Sequence, residues 1–255
     1  MNPKAPIPVN LITGFLGVGK TTAVVHLLAQ HPPDQHWAVL VNEFGEIGVD
    51  RALLADAGVS VQEVAGGCLC CVAAPAFTTG LNRLIRQQRP DRILIEPSGL
   101  GHPAQVLETL NGPLYAGILD VRATLCLMDA RHLASPRHRE HPNFQDQIHL
   151  ADVLVGNKYD LYGPRDVEAF ERHAAALQPA KSRLAMVTHG RVDPAWLDLT
   201  PGDGRRAAFP EAHAFLVETD GSTDTSSPPL DWLVIEGNGD GYSRCGWSVA
   251  QRRPW

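Results

Sequence analysis

Short apolar runs of strand length alternate with helix-length stretches along the first two hundred residues. The runs are "PVNLIT" (8–13), "WAVLVN" (37–42), "VSVQEV" (59–64), "RILIE" (92–96), "ATLCLMD" (123–129), "DVLVGN" (152–157) and "RLAMVT" (183–188). Between them, residues 20–30, 75–89, a segment around 144–150 and residues 164–177 read as helical. Runs that are apolar throughout belong to strands buried on both faces, and strand–helix alternation builds a mostly parallel sheet covered by helices on both sides. The expected fold is therefore an α/β layer sandwich.

The pattern changes near residue 200. "TPGDGRRAAFP" (200–210) reads as a linker, followed by apolar runs "AHAFLVE" (212–218) and "DWLVIE" (231–236) separated by a polar Gly/Ser/Thr/Pro stretch. This predicts a main domain over residues 1–205 and a short α+β region over 206–255. The second part is too small for a separate core and should lean on the first.

Composition narrows the function only by exclusion. The chain has 255 residues, 44% of them hydrophobic and 20% charged, which is the balance of a soluble globular protein. A formal net charge of −6 argues against gripping nucleic-acid backbones. One segment, "RHLASPRHREH" (131–141), is rich in Arg and His and reads most simply as a solvated surface stretch. No run approaches the roughly 18 apolar residues needed to cross a bilayer, so no membrane partner is expected. Five cysteines, two of them adjacent, do not form a secreted disulfide framework; the reduced cytoplasm fits better.

Chemistry enters with "GFLGVGKT", Gly14 to Thr21, which follows a strand and opens a helix. It matches G-x-x-x-x-G-K-[ST]. In that context Gly14, Gly17, Val18 and Gly19 turn backbone N–H groups toward phosphates, and the helix N-terminus adds its positive end. Lys20 bridges the β- and γ-phosphates, and the Thr21 hydroxyl binds Mg²⁺.

"DVLVGNKYD" then ends a strand in Asn157, Lys158 and Asp160. An N-K-x-D at a strand end reads guanine, because a carboxylate accepts from both the ring N1–H and the exocyclic amine, which adenine cannot offer together. Asp160 is the candidate reader and favours GTP over ATP. Between these motifs, "RILIEPSGLGHP" runs a buried strand into Glu96 and then Gly99, the places for an acid near Mg²⁺ and a glycine sensing the γ-phosphate. "VNEFGEIGVD" (41–50) supplies Glu43, Glu46 and Asp50 on a loop at the sheet's carboxyl end. Of these, Glu46 is the candidate for positioning the attacking water.

"GGCLCC" (66–71) sets Cys68, Cys70 and Cys71 behind two glycines. Three thiolates converge on one cation if the backbone turns sharply, and their softness admits Zn²⁺, Co²⁺, Ni²⁺ or Cu⁺. A redox pair is the rival, with the C-x-x-C spacing found only between Cys68 and Cys71. Cys126 and Cys245 read as inert thiols.

The ordered set "GFLGVGKTT", "NEFGEIGVD", "GGCLCC", "EPSGLGHP" and "NKYD" resembles the CobW family of P-loop GTPases, relatives of the urease and hydrogenase accessory proteins, over about residues 8–200. The resemblance implies a cytoplasmic GTPase that carries a transition metal, most often zinc or cobalt, to a client metalloprotein. It places phosphates and Mg²⁺ on Gly14 to Thr22, the metal on Cys68, Cys70 and Cys71, a switch at Glu96 and Gly99, and guanine on Asn157, Lys158 and Asp160. GTP and GDP are then the expected ligands, client metalloproteins the partners, and a homodimer a candidate assembly. Family members usually carry a fuller C-terminal domain, so residues 206–255 look like a shortened one. Two other functions compete: a metal buffer or sensor with vestigial nucleotide binding, and a small-molecule kinase using the same phosphate loop.

Overall fold

A computed structural model describes residues 5–41, 59–63, 74–203, 233–239 and 242–248. Eight strands of the described residues form one sheet: β1 (Ile7–Thr13), β2 (Trp37–Val41), β3 (Val59–Glu63), β4 (Arg92–Glu96), β5 (Leu119–Val121), β6 (Leu125–Met128), β7 (Val153–Gly156) and β8 (Arg183–Met186). Their order is β3-β2-β4-β1-β6-β7-β8, with β5 also paired to β1. All these pairings are parallel. The helices are α1 (Lys20–Leu28), α2 (Ala74–Gln88), α3 (Pro103–Leu110), α4 (Pro136–Arg139), α5 (Pro142–Leu150) and α6 (Pro164–Ala176).

Burial on both faces explains the continuous apolar runs of β2, β6 and β7, whereas β8, at the edge of the sheet, is partly exposed against expectation. Along β2, Trp37, Val39 and Val41 pack into the core that holds Val24 and Leu27 of α1. Their neighbours Ala38 and Leu40 pack on the opposite side with Phe77, Leu81 and Leu84 of α2. Strands β6 and β7 repeat the device, with Cys126, Met128 and Leu154 meeting Phe144 and Ile148 of α5 and Phe170 of α6. Every position of such a strand must be apolar, which is why no polar alternation marks it.

The strand and helix segments expected through residue 190 are present, with additions that include the four-residue α4 and two other elements. Helix α3 is one: eight residues opened by Pro103 at its first turn, with only Pro103, Val106 and Leu110 buried. Strand β5 is the other, three residues pairing the start of β1 while β6 pairs its end. At the break between them the Asn10 side-chain amide donates to the carbonyls of Ala123 and Leu197, both at 2.9 Å. Arg92 donates to Asn10 Oδ1 at 2.7 Å and pairs with Asp198. A polar residue inside the run "PVNLIT" thus satisfies backbone groups that the interrupted ladder leaves open.

By its contacts the chain divides into two units, residues 1–216 and 217–255. In the second, β9 (Leu233–Gly239) and β10 (Tyr242–Ser248) form an antiparallel pair. The expected strand at 212–218 lies outside the described residues. No described helix is long and apolar enough to cross a membrane.

Candidate nucleotide site

The chain leaves β1 toward β2 on one side of the sheet and later fills β6, β7 and β8 on the other. The carboxyl end of β1 is therefore the switch point of an open parallel sheet, where ligands of such folds bind. A cavity of about 500 Å³ opens there, and Leu16, Gly17, Lys20, Thr21, Glu96 and Gly99 are among its lining residues.

The loop from Gly14 to Gly19 enters α1 through a left-handed turn. Gly19 caps the helix at φ 95°, and a Cβ there would lie 2.5 Å from the Asn157 amide nitrogen. Only glycine meets both demands. Lys20 is buried to 8% exposure, its Nζ donating to the Phe15 carbonyl at 3.2 Å. The ammonium is thus folded back along the loop, its aliphatic stem in the protein and its head in the cavity wall. The Thr21 hydroxyl donates to Glu96 Oε1 at 2.7 Å, joining the start of α1 to the end of β4. Residues far apart in sequence are thereby brought together as expected.

The second motif lies two strands from β1, at the end of β7. Asn157 is buried, and both ends of its amide are occupied: Nδ2 donates to the Val18 carbonyl at 2.9 Å, and Oδ1 accepts from the Gly190 N–H at 2.9 Å. It ties the phosphate loop to the loop after β8. Lys158 takes a left-handed conformation at φ 64° and starts a short 3-10 turn, Tyr159–Leu161, that presents Asp160 at the surface.

Three contributors were not read from the sequence. Asp129, 1% exposed at the end of β6, receives Arg131 Nε at 2.9 Å and Nη2 at 2.6 Å, with Lys158 Nζ 3.6 Å away. Burial alone would raise its pKa, but the Arg131 hydrogen bonds outweigh that and hold the carboxyl below its ordinary range. Tyr162 donates to the Asn157 carbonyl and accepts from the Ala130 N–H, and burial pushes its phenol up to about 12. Gly190 supplies the N–H that fixes Asn157. Asp129 carried the same mark as Asn157, a polar side chain at the carboxyl end of a buried strand, and was legible on that ground.

The Arg/His-rich segment is less simply solvated than expected. Its arginines are exposed, but His132 and His138 stack at 4.2 Å between ring centroids, and His138 and His141 meet Phe15 of the phosphate loop edge-on at 5.6 and 5.1 Å. Burial, then the neighbouring His138, lowers the pKa of His132. Cys126 is inert as expected: fully buried, its thiol is pushed up to about 12. Cys68, Cys70, Cys71, Glu43, Glu46 and Asp50 lie outside the described residues. Among the described residues no group of three or more metal-binding side chains converges.

The nucleotide-binding domain model of CobW, HypB and UreG matches residues 8–185. The chain belongs to the CobW/HypB/UreG family. This member is 45% identical over 240 residues to the zinc chaperone YeiR of Escherichia coli (strain K12), covering 93% of this chain and 73% of that protein. It is 30% identical over 214 residues to the zinc chaperone CobW of Sinorhizobium sp, covering 73% of this chain and 60% of that one. Among solved structures it resembles the Zn(II)-bound YjiA GTPase from E. coli, with TM-score 0.60 and 28% identity over 80% of this chain and 64% of that chain. The CobW/HypB/UreG member described here thus spans about three-fifths of two of these relatives.

Proposed function

We propose that this protein is a GTP-hydrolysing metallochaperone that takes up a transition metal, zinc or cobalt, on Cys68, Cys70 and Cys71 and passes it to a client metalloprotein when its nucleotide state changes. The observation that carries the nucleotide half is the Thr21–Glu96 contact beside Lys20 in the cavity. A hydroxyl and a carboxylate at that spacing are hard oxygen donors that fit Mg²⁺. Thr21 and Glu96 would hold it; when bound, it neutralises charge on the β- and γ-phosphate oxygens.

The remaining roles follow from position. Backbone N–H groups of Gly17, Val18 and Gly19 face the phosphates, with Thr22 completing the cradle at the first turn of α1. Lys20 swings from the Phe15 carbonyl to the phosphates, Gly99 donates its N–H to the γ-phosphate, and Asp160 accepts from guanine. Glu46 is the candidate for orienting the attacking water. The zinc half is supported by the names of the relatives, two of them zinc chaperones and one a Zn(II)-bound GTPase. Soft thiolates on a sequence between two loops that respond to the γ-phosphate supply the coupling.

The test is a zinc and cobalt titration of the full chain in GDP and in a nonhydrolysable GTP analogue, repeated with Cys68→Ser, Cys70→Ser and Cys71→Ser. The expected result is about tenfold or greater difference in affinity between nucleotide states, lost together with tight binding in each variant. Equal affinity in both states would remove the chaperone mechanism, since a ligand without differential binding shifts no equilibrium. It would leave a metal buffer.

A further inference from the structure

The turn after β4 is held from behind by helix α5. The Gln147 side chain donates to the Gly99 carbonyl at 2.9 Å and to the Gly101 carbonyl at 3.3 Å, and Asn143 donates to the Leu100 carbonyl at 2.7 Å. Three consecutive carbonyls of a turn, groups that ordinarily face water, are thus taken by two side chains that are 1% and 8% exposed. Neither residue itself lines the cavity.

The bonds set a direction as well as a position. The Gly101 N–H donates to the Ser98 carbonyl at 2.9 Å, closing the turn. A peptide is planar and trans, so fixing the Ser98 carbonyl fixes the Gly99 N–H on the opposite side of the same plane. Gln147 holds that turn by its second and fourth carbonyls, those of Gly99 and Gly101. On its other flank Gly99 rests on the phosphate loop, where an added Cβ would lie 2.7 Å from Leu16 Cδ2 and 2.8 Å from Leu16 N. Helix α5 also reaches that loop, with Phe144 edge-on to Phe15 at 6.0 Å. The turn is therefore clamped between the phosphate loop and a helix that itself touches the phosphate loop.

We propose that α5 sets the aim of the γ-phosphate-sensing amide, with Gln147 as the positioning residue and Asn143 in support. The inference rests on the reading of Gly99 as that sensor. Gln147 suits the task because its amide donates twice while its Oε1, buried, has no partner among the described residues. Held by Gln147, the turn keeps that amide aimed in advance, so the γ-phosphate meets a donor that needs no reorientation. The triphosphate state is then separated from the diphosphate state by contacts made on α5.

The full chain is measured for GDP and nonhydrolysable GTP-analogue affinity and for amide hydrogen exchange of the segment 97–102. Gln147→Glu, which cannot donate in its ionised form, is expected to weaken the analogue about tenfold while GDP stays within about twofold, and to abolish the analogue's protection of 97–102. Asn143→Ala should move the same way by about threefold. Gln147→Leu, uncharged and of similar volume, is read identically should the carboxylate variant lose GDP binding. Parallel weakening of GDP and analogue in both Gln147 variants, or retained protection in either, overturns the inference. Absence of analogue protection at 97–102 in the unmodified chain overturns instead the reading of Gly99, whatever the variants do.

Discussion

At the phosphate end of the cavity Lys20 and Glu96 are each 8% exposed, and the loop carrying Lys20 is tied from below to Asn157. At the end of β7, the proposed base site, Lys158 is half-buried and Asp160 is exposed, on a 3-10 turn of three residues. The difference fits the roles proposed for the two ends. On the proposed reading, phosphate would compensate for burying the Lys20 ammonium and Mg²⁺ for burying the Glu96 carboxylate, and a cradle of backbone amides would have to be aimed in advance. A guanine edge would need one carboxylate at the right place; Asp160, the proposed reader, stays in water, with Asp129 and Tyr162 packed behind its turn. Specificity and affinity are accordingly separable by mutation.

The largest effect should come from the buried end. Lys20→Ala is expected to lower GTP hydrolysis at saturating nucleotide by roughly 100-fold or more, measured as phosphate release, because it removes the one cation set into the loop. A loss under about threefold would mean that the cradle alone carries catalysis. Asp160→Asn comes next: exchanging an acceptor for a donor should weaken GDP by about 10- to 100-fold, with a xanthine nucleotide, whose C2 oxygen accepts, less affected than guanine. Uniform weakening of both bases would deny Asp160 its reading role and place base selection on the backbone.

Asn157→Ala probes the tie between the two ends. It leaves the Gly190 N–H and the Val18 carbonyl without their partner, for an expected cost of about 2 kcal/mol and a Tm lower by about 4–8 °C. Nucleotide affinity should fall with stability, as it would not if Asn157 served the base alone. The smallest effect is expected with acid. His132, whose folded pKa lies below its ordinary 6.5, is kept neutral mainly by burial, so the unfolded chain binds the proton more readily. Stability is then intact above pH 6.5 and falls as pH drops below it toward the lowered folded value. The drop in Tm between pH 7 and pH 5.5, about 2–4 °C, should shrink in His132→Phe, and an unchanged drop would place the acid sensitivity elsewhere.

Reading the chain alone located seven of the eight sheet strands and the phosphate loop, because both depend on neighbours in sequence: an apolar run of strand length, and glycines ahead of a Lys-Thr helix start. Helix α3 was missed because eight residues with only three buried positions carry too little pattern to show a period. Strand β5 was missed because three residues make a strand only by lying against β1.

The chemistry of the site was a property of the sequence: a loop able to wrap phosphate, a hydroxyl and a carboxylate of the right type, an acid fit to read guanine. Which side chains serve one another was decided only by the fold. Asn157 spans 139 positions to hold Val18, and Gln147 spans 48 to hold Gly99, and nothing in either residue's own neighbourhood announces the partner. Local propensity writes elements and short motifs into the chain. The order of strands in the sheet determines which carboxyl-terminal loops become neighbours, and so which polar groups, once buried, must find each other.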